Sequence, residues 1–223
     1  MTESKKNHAL HGVRQPIAVT LVLLLICGLG FPVLMTGLSG ILFPHQAKGS
    51  LITADGVAVG AEHIGQEFTE PCFMKCRPSA YHYTTYTEDA EGNQFYNDGS
   101  EFAGLSSGSN NYGPSNPALQ ERVEADMEAI MAANPGVERE DIPTDLATAS
   151  GSGLDPDISP ASAALQLPAI AEASGLSLEQ LAEIVADNTE GKLLGVFGQE
   201  TVNVLGVNLD IAQAMGRINT VEQ

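Results

Sequence analysis

Two cysteines four residues apart, Cys72 and Cys76, are the first candidates for chemistry in this 223-residue chain. Two thiolates alone are an incomplete metal site, since zinc takes four ligands. On an extended strand their Cα atoms would stand about 13 Å apart, beyond disulfide reach, whereas a helical turn would let them meet. They read as plain thiols or a local disulfide. Cys27, inside an apolar run, reads as inert. The five histidines are His8, His11, His45, His63 and His82. His63 or His82 could assist a serine, but no neighbouring residue orients either ring. Lys75 and Arg77 are isolated cations among acids, better suited to carboxylates or loop carbonyls than to catalysis. The loop Ser150-Gly151-Ser152-Gly153 lacks the Gly-Lys-Ser/Thr of a phosphate loop, and the chain has no nucleophile elbow. Glu88, Asp89, Glu91, Asp98 and Glu101 crowd a tyrosine-rich stretch, Tyr81 to Phe102, without the alternating spacing of a calcium loop. From these residues the chain reads as a non-catalytic anchored module with no metal site.

The anchor is the clearest element. Ile17 to Phe43 has no charged residue. As a helix it would be about 40 Å long, enough to cross a hydrocarbon core of about 30 Å. It is too long for the apolar stretch of a cleaved signal peptide. Lys5, Lys6 and Arg14 against Glu3 give the segment before it a balance of +2. The positive-inside rule then places residues 1–15 in the cytoplasm, a transmembrane helix over 16–43, and residues 44–223 outside the cell membrane. Gly30, Gly37 and Gly40 lie close to one helix face, where small residues admit a neighbouring helix. Pro32 removes a backbone hydrogen bond in mid-span.

Beyond the span, seven basic residues face 27 acidic ones, a balance of −20. Such a domain repels nucleic acid and anionic lipid headgroups, and its natural small partners are cations. The elements that organise it are mixed. Pro44 to Lys48 reads as a stalk. Ser50–Thr53 and Val57–Val59 around Ala54-Asp55-Gly56 predict a hairpin, which His63 to Phe68 extends. Residues 81–103 read as an exposed loop or hairpin insertion. Ser115 or Asn116 caps a helix with Pro117 in its first turn and a stripe of Leu119, Val123, Met127 and Ile130, ending at Asn134-Pro135-Gly136. Ser159-Pro160 opens a second helix that Pro168 interrupts or kinks and Gly175 ends. Ser177 and Gln180 form the capping box of a third, with Leu178, Leu181, Ile184 and Val185 buried. Thr201 to Val207 predicts the best strand, and Asn208 or Asp210 opens a last helix. The fold class is membrane-anchored α+β: one N-terminal transmembrane helix and a mixed α/β extracytoplasmic domain.

Several stretches in order carry a resemblance. Gly49-Ser50-Leu51 follows the span. Ile64-Gly65-Gln66-x-Phe68 precedes Phe73-x-x-x-Arg77-Pro78-Ser79-Ala80. Ser107-Gly108-Ser109-Asn110 leads to Gly113-Pro114-Ser115-Asn116-Pro117. The longest run is Asp145-Leu146-x-Thr148-Ala149-Ser150-Gly151-Ser152-Gly153-Leu154-Asp155-Pro156-x-Ile158-Ser159-Pro160, and Val202-Asn203-Val204-Leu205 closes the series. Together they resemble the C subunit of Kdp-type potassium-transporting ATPases over nearly the whole chain. Two features depart from that pattern: the stretch Tyr81 to Gln94 is longer, and Cys72 and Cys76 are extra.

The resemblance implies an accessory, non-enzymatic subunit of a high-affinity potassium-uptake complex. Its implied partners are a channel-like potassium-selecting subunit, a P-type ATPase subunit and a small single-span subunit. Potassium is the transported ion. The family is described as a catalytic chaperone that raises the ATP affinity of the ATPase subunit. The resemblance makes the loop Ser107, Gly108, Ser109, Asn110, Asn111 and Gly113 the candidate partner or nucleotide surface. Arg77, Pro78, Ser150, Gly151, Ser152, Gly153, Asp155 and Pro156 are its structural motif. The alternative reading is a membrane-anchored extracellular binding module or hydrolase unrelated to transport.

Overall fold

A computed structural model describes residues 3–222, with side chains from Gly12 onward. The side chains of Glu3, Lys5, Lys6, His8 and His11, on which part of the N-terminal charge balance rests, lie outside the described ones. Two units emerge, residues 1–50 and 51–223.

Among the described residues of the first unit, helix runs from Glu3 to Leu42 and resumes for one turn after Phe43. α1 (Glu3–Leu25) passes through Pro16 into a π-helical turn, Ile26–Gly30, and on to α2 (Phe31–Leu42). Gly12–Leu42 is a helical stretch of 31 residues, with Arg14 near its start, long and apolar enough to cross a membrane. The π turn lies immediately before Pro32, where Phe31 N–H donates to the Ile26 carbonyl. A wider turn beside a proline accommodates a ring that would clash in a regular helix. No heavy atom lies within 4 Å of a Cβ placed on Gly37 or Gly40, and Gly30 meets only the Leu25 carbonyl of its own turn. The glycine face is therefore open. α3 (Pro44–Ala47) is a single turn where a stalk is expected.

The second unit is mixed α/β, as its patterning predicts. β1 (Leu51–Ala54) and β2 (Val57–Ala61) pair antiparallel around Asp55-Gly56. Both turn residues have positive φ, 49° and 79°, the conformation a two-residue hairpin demands. The Asp55 carboxylate also accepts the N–H groups of Asn219 and Thr220, at 3.1 and 3.0 Å. Those bonds hold its pKa below the ordinary carboxylate value and bring β8 (Val221–Glu222) onto β1. The expected extension over His63 to Phe68 does not form; only Ile64 bridges back to Ala61. Gln66 instead turns inward and donates its side-chain N–H to the Val59 carbonyl.

The insertion carries a short hairpin, β3 (Thr87–Glu88) with β4 (Gln94–Phe95). It is less exposed than its acids suggest. Tyr83 and Tyr96 are buried, and Phe102 packs on Tyr86 and Tyr96.

α4 (Pro117–Ala133) starts where expected, with the Asn116 side chain accepting from Ala118 N–H. Its stripe packs with α5 (Thr144–Ala147) into a small lobe centred on Ile142, Leu146 and Ala147. α6 (Pro160–Ser174) runs through Pro168 without the expected interruption. A proline φ suits a helix, and burial of Ala163 and Ile170 on either side offsets the lost hydrogen bond. Gly175 ends it at φ 77°. α7 (Leu178–Asp187) has its capping box, but Leu178, at the first position behind the cap, is exposed.

A second sheet orders β5 (Asp157–Ile158), β7 (Thr201–Asn203) and β6 (Thr189–Glu190), with β7 central and all pairs antiparallel. The long strand expected over Thr201 to Val207 stops after three residues. Asn203 caps α8 (Val204–Ala214) by accepting from Gly206 N–H at 2.9 Å. Neither Asn208 nor Asp210 opens the helix. A short apolar run does not by itself distinguish strand from buried helix, and here the cap decides. α8 is buried nearly all round. Val204, Val207 and Ile211 belong to one core cluster, while Leu205 and Leu209 join Ile52 and Ala54 in another.

Asn203 thus has two tasks, because its side-chain N–H also donates to the Glu62 carbonyl at 2.9 Å. Asn203→Ala is expected to lower the stability of the full chain by about 1–2 kcal/mol, with Asn203→Ser, which keeps a cap acceptor, losing less. The chain lacks tryptophan, so denaturant titration in detergent followed by far-ultraviolet circular dichroism is the suitable measurement.

Candidate functional site

The segment 74–79 approaches the site without a strand partner. Its buried amides still require hydrogen bonds. Two side-chain amides supply them. Asn208, on α8, accepts from Met74 N–H at 2.7 Å and donates to the Met74 carbonyl at 2.8 Å. Gln166, on α6, does the same for Lys75, at 2.8 and 3.2 Å. Each amide acts as a one-residue substitute for a neighbouring strand.

This fixes where Arg77 emerges. Its Nη1 meets Asp155 Oδ2 at 2.9 Å, and its Nη2 points to the Thr148 carbonyl. The isolated cation therefore satisfies a carboxylate and a loop carbonyl, as expected. Ser79 Oγ donates to the Gly153 carbonyl at 2.7 Å and accepts from the N–H groups of Tyr81 and Tyr83. With those bonds made, the hydroxyl is engaged as a brace and not presented as a nucleophile. Tyr83 O–H donates to the Arg77 carbonyl at 2.6 Å and lies 3.3 Å from that of Asp155. Burial pushes the Tyr83 phenol well up, so it stays a donor.

The backbone here is unusual. His82, Tyr83 and Thr84 all have φ near +50°, a left-handed turn that costs about 1–2 kcal/mol per residue without compensation. The Ser79 and Tyr83 bonds hold it, and His82 Nδ1 lies 3.1 Å from Glu67. Gly65 passes beneath; a Cβ on it would stand 2.5 Å from Tyr83 Cε1 and 2.6 Å from the Asp155 carbonyl oxygen.

The serine–glycine loops, distant in sequence, meet. Gly108 N–H donates to the Ser152 carbonyl at 2.6 Å. Gly153 has φ 68°, and a Cβ there would stand 2.6 Å from the Gly108 carbonyl oxygen. Ser150 Oγ accepts from Gly153 N–H, and Ser152 Oγ from Leu154 N–H. The Pro156 carbonyl accepts from Val204 N–H, tying the loop to the start of α8. Gly151 is exposed, and Pro78 lines the cavity described below. Ser107, Asn110, Asn111 and Gly113 are exposed, with Ser109 Oγ donating to Asn111. The Gly113 carbonyl accepts from Asn116 N–H and so leads into the cap of α4.

Sequence reasoning left three anchors out of the candidate site. Asp145 accepts from Ser159 N–H and from the hydroxyls of Ser159 and Ser162, at 2.7, 3.1 and 2.7 Å. Burial pushes its pKa up, but those donors outweigh burial and hold it below its ordinary value. Asn208 and Gln166 are the others. They are lone polar residues whose partners are backbone groups 134 and 91 positions away, so no local pattern marks them.

A cavity of 480 Å³ lies beside this network, lined by Lys75, Arg77, His82, Tyr83, Gln166 and Ile130 among others. Among the described residues, no group of three or more His, Cys, Asp or Glu is placed to hold a metal ion. His82 is framed by Glu67 and Asp98 and tilts against the Tyr96 ring. His63 lies beside Glu62. The arrangement braces loops against one another.

Fold and site define a class: an α/β module on an apolar helix long enough to span a membrane, whose distinctive residues hold its loops together. The family model described as KdpC, K+-transporting ATPase, c chain, matches residues 13–213. A Clostridium kluyveri protein named potassium-transporting ATPase KdpC subunit is 53% identical over 208 residues, 93% of this chain and 96% of its own length. One of the same name from Clostridioides difficile is 51% identical over 211 residues, 92% of this chain and 99% of its own. A third, from Caldanaerobacter subterraneus, is 44% identical over 201 residues. The chain belongs to the KdpC family of potassium-transporting ATPase subunits.

Cys72 and Cys76 are both free thiols. Burial raises the pKa of Cys72, and it pushes that of Cys76 up to about 12. A protonated, buried thiol reacts slowly. Without reductant, an alkylating reagent at neutral pH is expected to label neither residue in the folded chain and both after denaturation, read by mass spectrometry. A single crosslinked pair that resists labelling in denaturant would contradict this.

Proposed function

We propose that this chain is the non-catalytic accessory subunit of an ATP-driven potassium-uptake complex, with its acidic α/β domain outside the membrane. The observation that carries the reading is the use made of the family's signature residues. Arg77, Ser79, Gly153 and Asp155 engage one another, which supports a scaffold over an enzyme. The domain works as an outer cap that stabilises the channel-like subunit together with the P-type ATPase subunit and the small single-span subunit. Potassium passes through the partners.

Any effect on ATP use is then indirect. The polar contacts of the loop 107–113 go to Ser152, to Asn116 and within the loop itself, and ATP is scarce outside a cell. Binding of the cap to one conformation of the complex shifts an equilibrium that nucleotide binding also shifts, and such coupling is reciprocal.

Two measurements test this. Extracted in mild detergent from cells that express the complex, the chain is expected to co-purify with a polytopic potassium-stimulated ATPase; emerging alone would overturn the subunit reading. For orientation, protease added to intact spheroplasts is expected to digest the region beyond Pro44 and to spare the first 15 residues. Protection of that region would place the domain inside and reopen direct contact with ATP.

A further inference from the structure

The connection between β6 and β7 bears a feature that the domain's own stability does not explain. Leu193 and Phe197 pair across a tight turn, with N–H···O distances of 2.8 and 3.0 Å. Leu193, Leu194, Val196 and Phe197 are 70%, 83%, 75% and 65% exposed. Four large apolar side chains within five residues thus stand in solvent. Moreover, Leu194 occupies φ 55° ahead of Gly195 at φ 73°. Left-handed backbone of this kind favours Gly, Asn or Asp, and leucine is poorly suited to it. A residue that strains the backbone and buries nothing within its own domain points to a contact beyond it.

We infer that the hairpin 193–197 is a plug that inserts into an apolar pocket on a partner subunit of the same ATPase. This rests on the reading of the chain as a subunit of that complex. Charge selects the occupant. A second copy would bring another domain of balance −20 against the first, and like charges oppose that docking. Lipid is disfavoured as well. Surface-seeking elements carry Lys or Arg around their apolar residues, whereas Asp187, Glu190 and Glu200 flank this hairpin against Lys192 alone. The complementary site is an apolar pocket with a neutral or basic rim. A short rigid hairpin tipped with leucine and phenylalanine enters such a pocket with little ordering cost.

The test uses the assembled complex. A photoreactive p-benzoylphenylalanine replacing Leu194 is expected to give, on irradiation, an adduct to a polytopic partner subunit. Adducts only to lipid, adducts only to a second copy, or no adduct would overturn the inference. In parallel, the double variant Leu194→Asp, Phe197→Asp is expected to reduce retention of the subunit in detergent about tenfold or more. Its circular dichroism spectrum should match wild type and its thermal midpoint should equal or exceed it, because these side chains lie outside the core and Asp suits the positive φ at position 194. Equal retention of variant and wild type overturns the plug alone. Wild type that emerges without partners overturns the subunit reading and the plug with it.

Discussion

Two side-chain amides hold the structure in register. The stretch around Met74 and Lys75 enters the core as extended chain with no strand beside it. An unpaired buried amide or carbonyl costs about 1–3 kcal/mol, and this stretch would present four. Asn208 and Gln166 satisfy all of them. Because one amide sits on α8 and the other on α6, the same four bonds also set those helices relative to the chain between them. Met74 itself is wholly buried among Ile158, Val202 and Ile211. The position of Arg77, two residues on, follows from this register.

From Arg77 the constraint spreads to the loops. Its pairing with Asp155, the Ser79 bond to Gly153 and the Tyr83 bonds to Arg77 and Asp155 close a compact network. That network carries the cost of a left-handed turn at residues 82–84, from which the tyrosine-rich insertion departs. It also receives the loop containing Gly108, against which Gly153 leaves no room for a side chain. The glycines and serines that resemble a phosphate-binding loop in composition thus serve close backbone approach. Composition alone does not separate the two uses, since both need small residues and exposed N–H groups.

This explains what could be read in advance. Local features were legible: the uncharged run Ile17 to Phe43, the Asp55-Gly56 turn, and the caps at Asn116, Ser159 and Ser177. Each depends on residues within about four positions of one another. Features set by distant partners were not. Val204 to Val207 has the composition of a strand but forms helix because Asn203 caps it and its surroundings bury both faces. Leu178 fits an amphipathic stripe yet faces solvent. Among the motif residues, Arg77 and Asp155 were legible as important through resemblance. Their pairing, and its dependence on Asn208, needed the fold.

The charge of the α/β domain has a similar division. All four of its arginines are engaged in ion pairs: Arg77 with Asp155, Arg122 with Asp126, Arg139 with Glu124 and Arg217 with Glu70. Arg217 also lies over the Phe73 ring. The arginine side chains therefore serve the domain internally, while the excess of acids is left to the surface. Such a surface enriches cations within a Debye length, about 8 Å at physiological salt. It acts equally on sodium and potassium, because at that range an ion is only a charge. Discrimination between them requires a site that replaces the hydration shell with fixed oxygens, and a loosely placed set of exposed carboxylates lacks that geometry. Such a surface can raise the local supply of cations, but it cannot select among them.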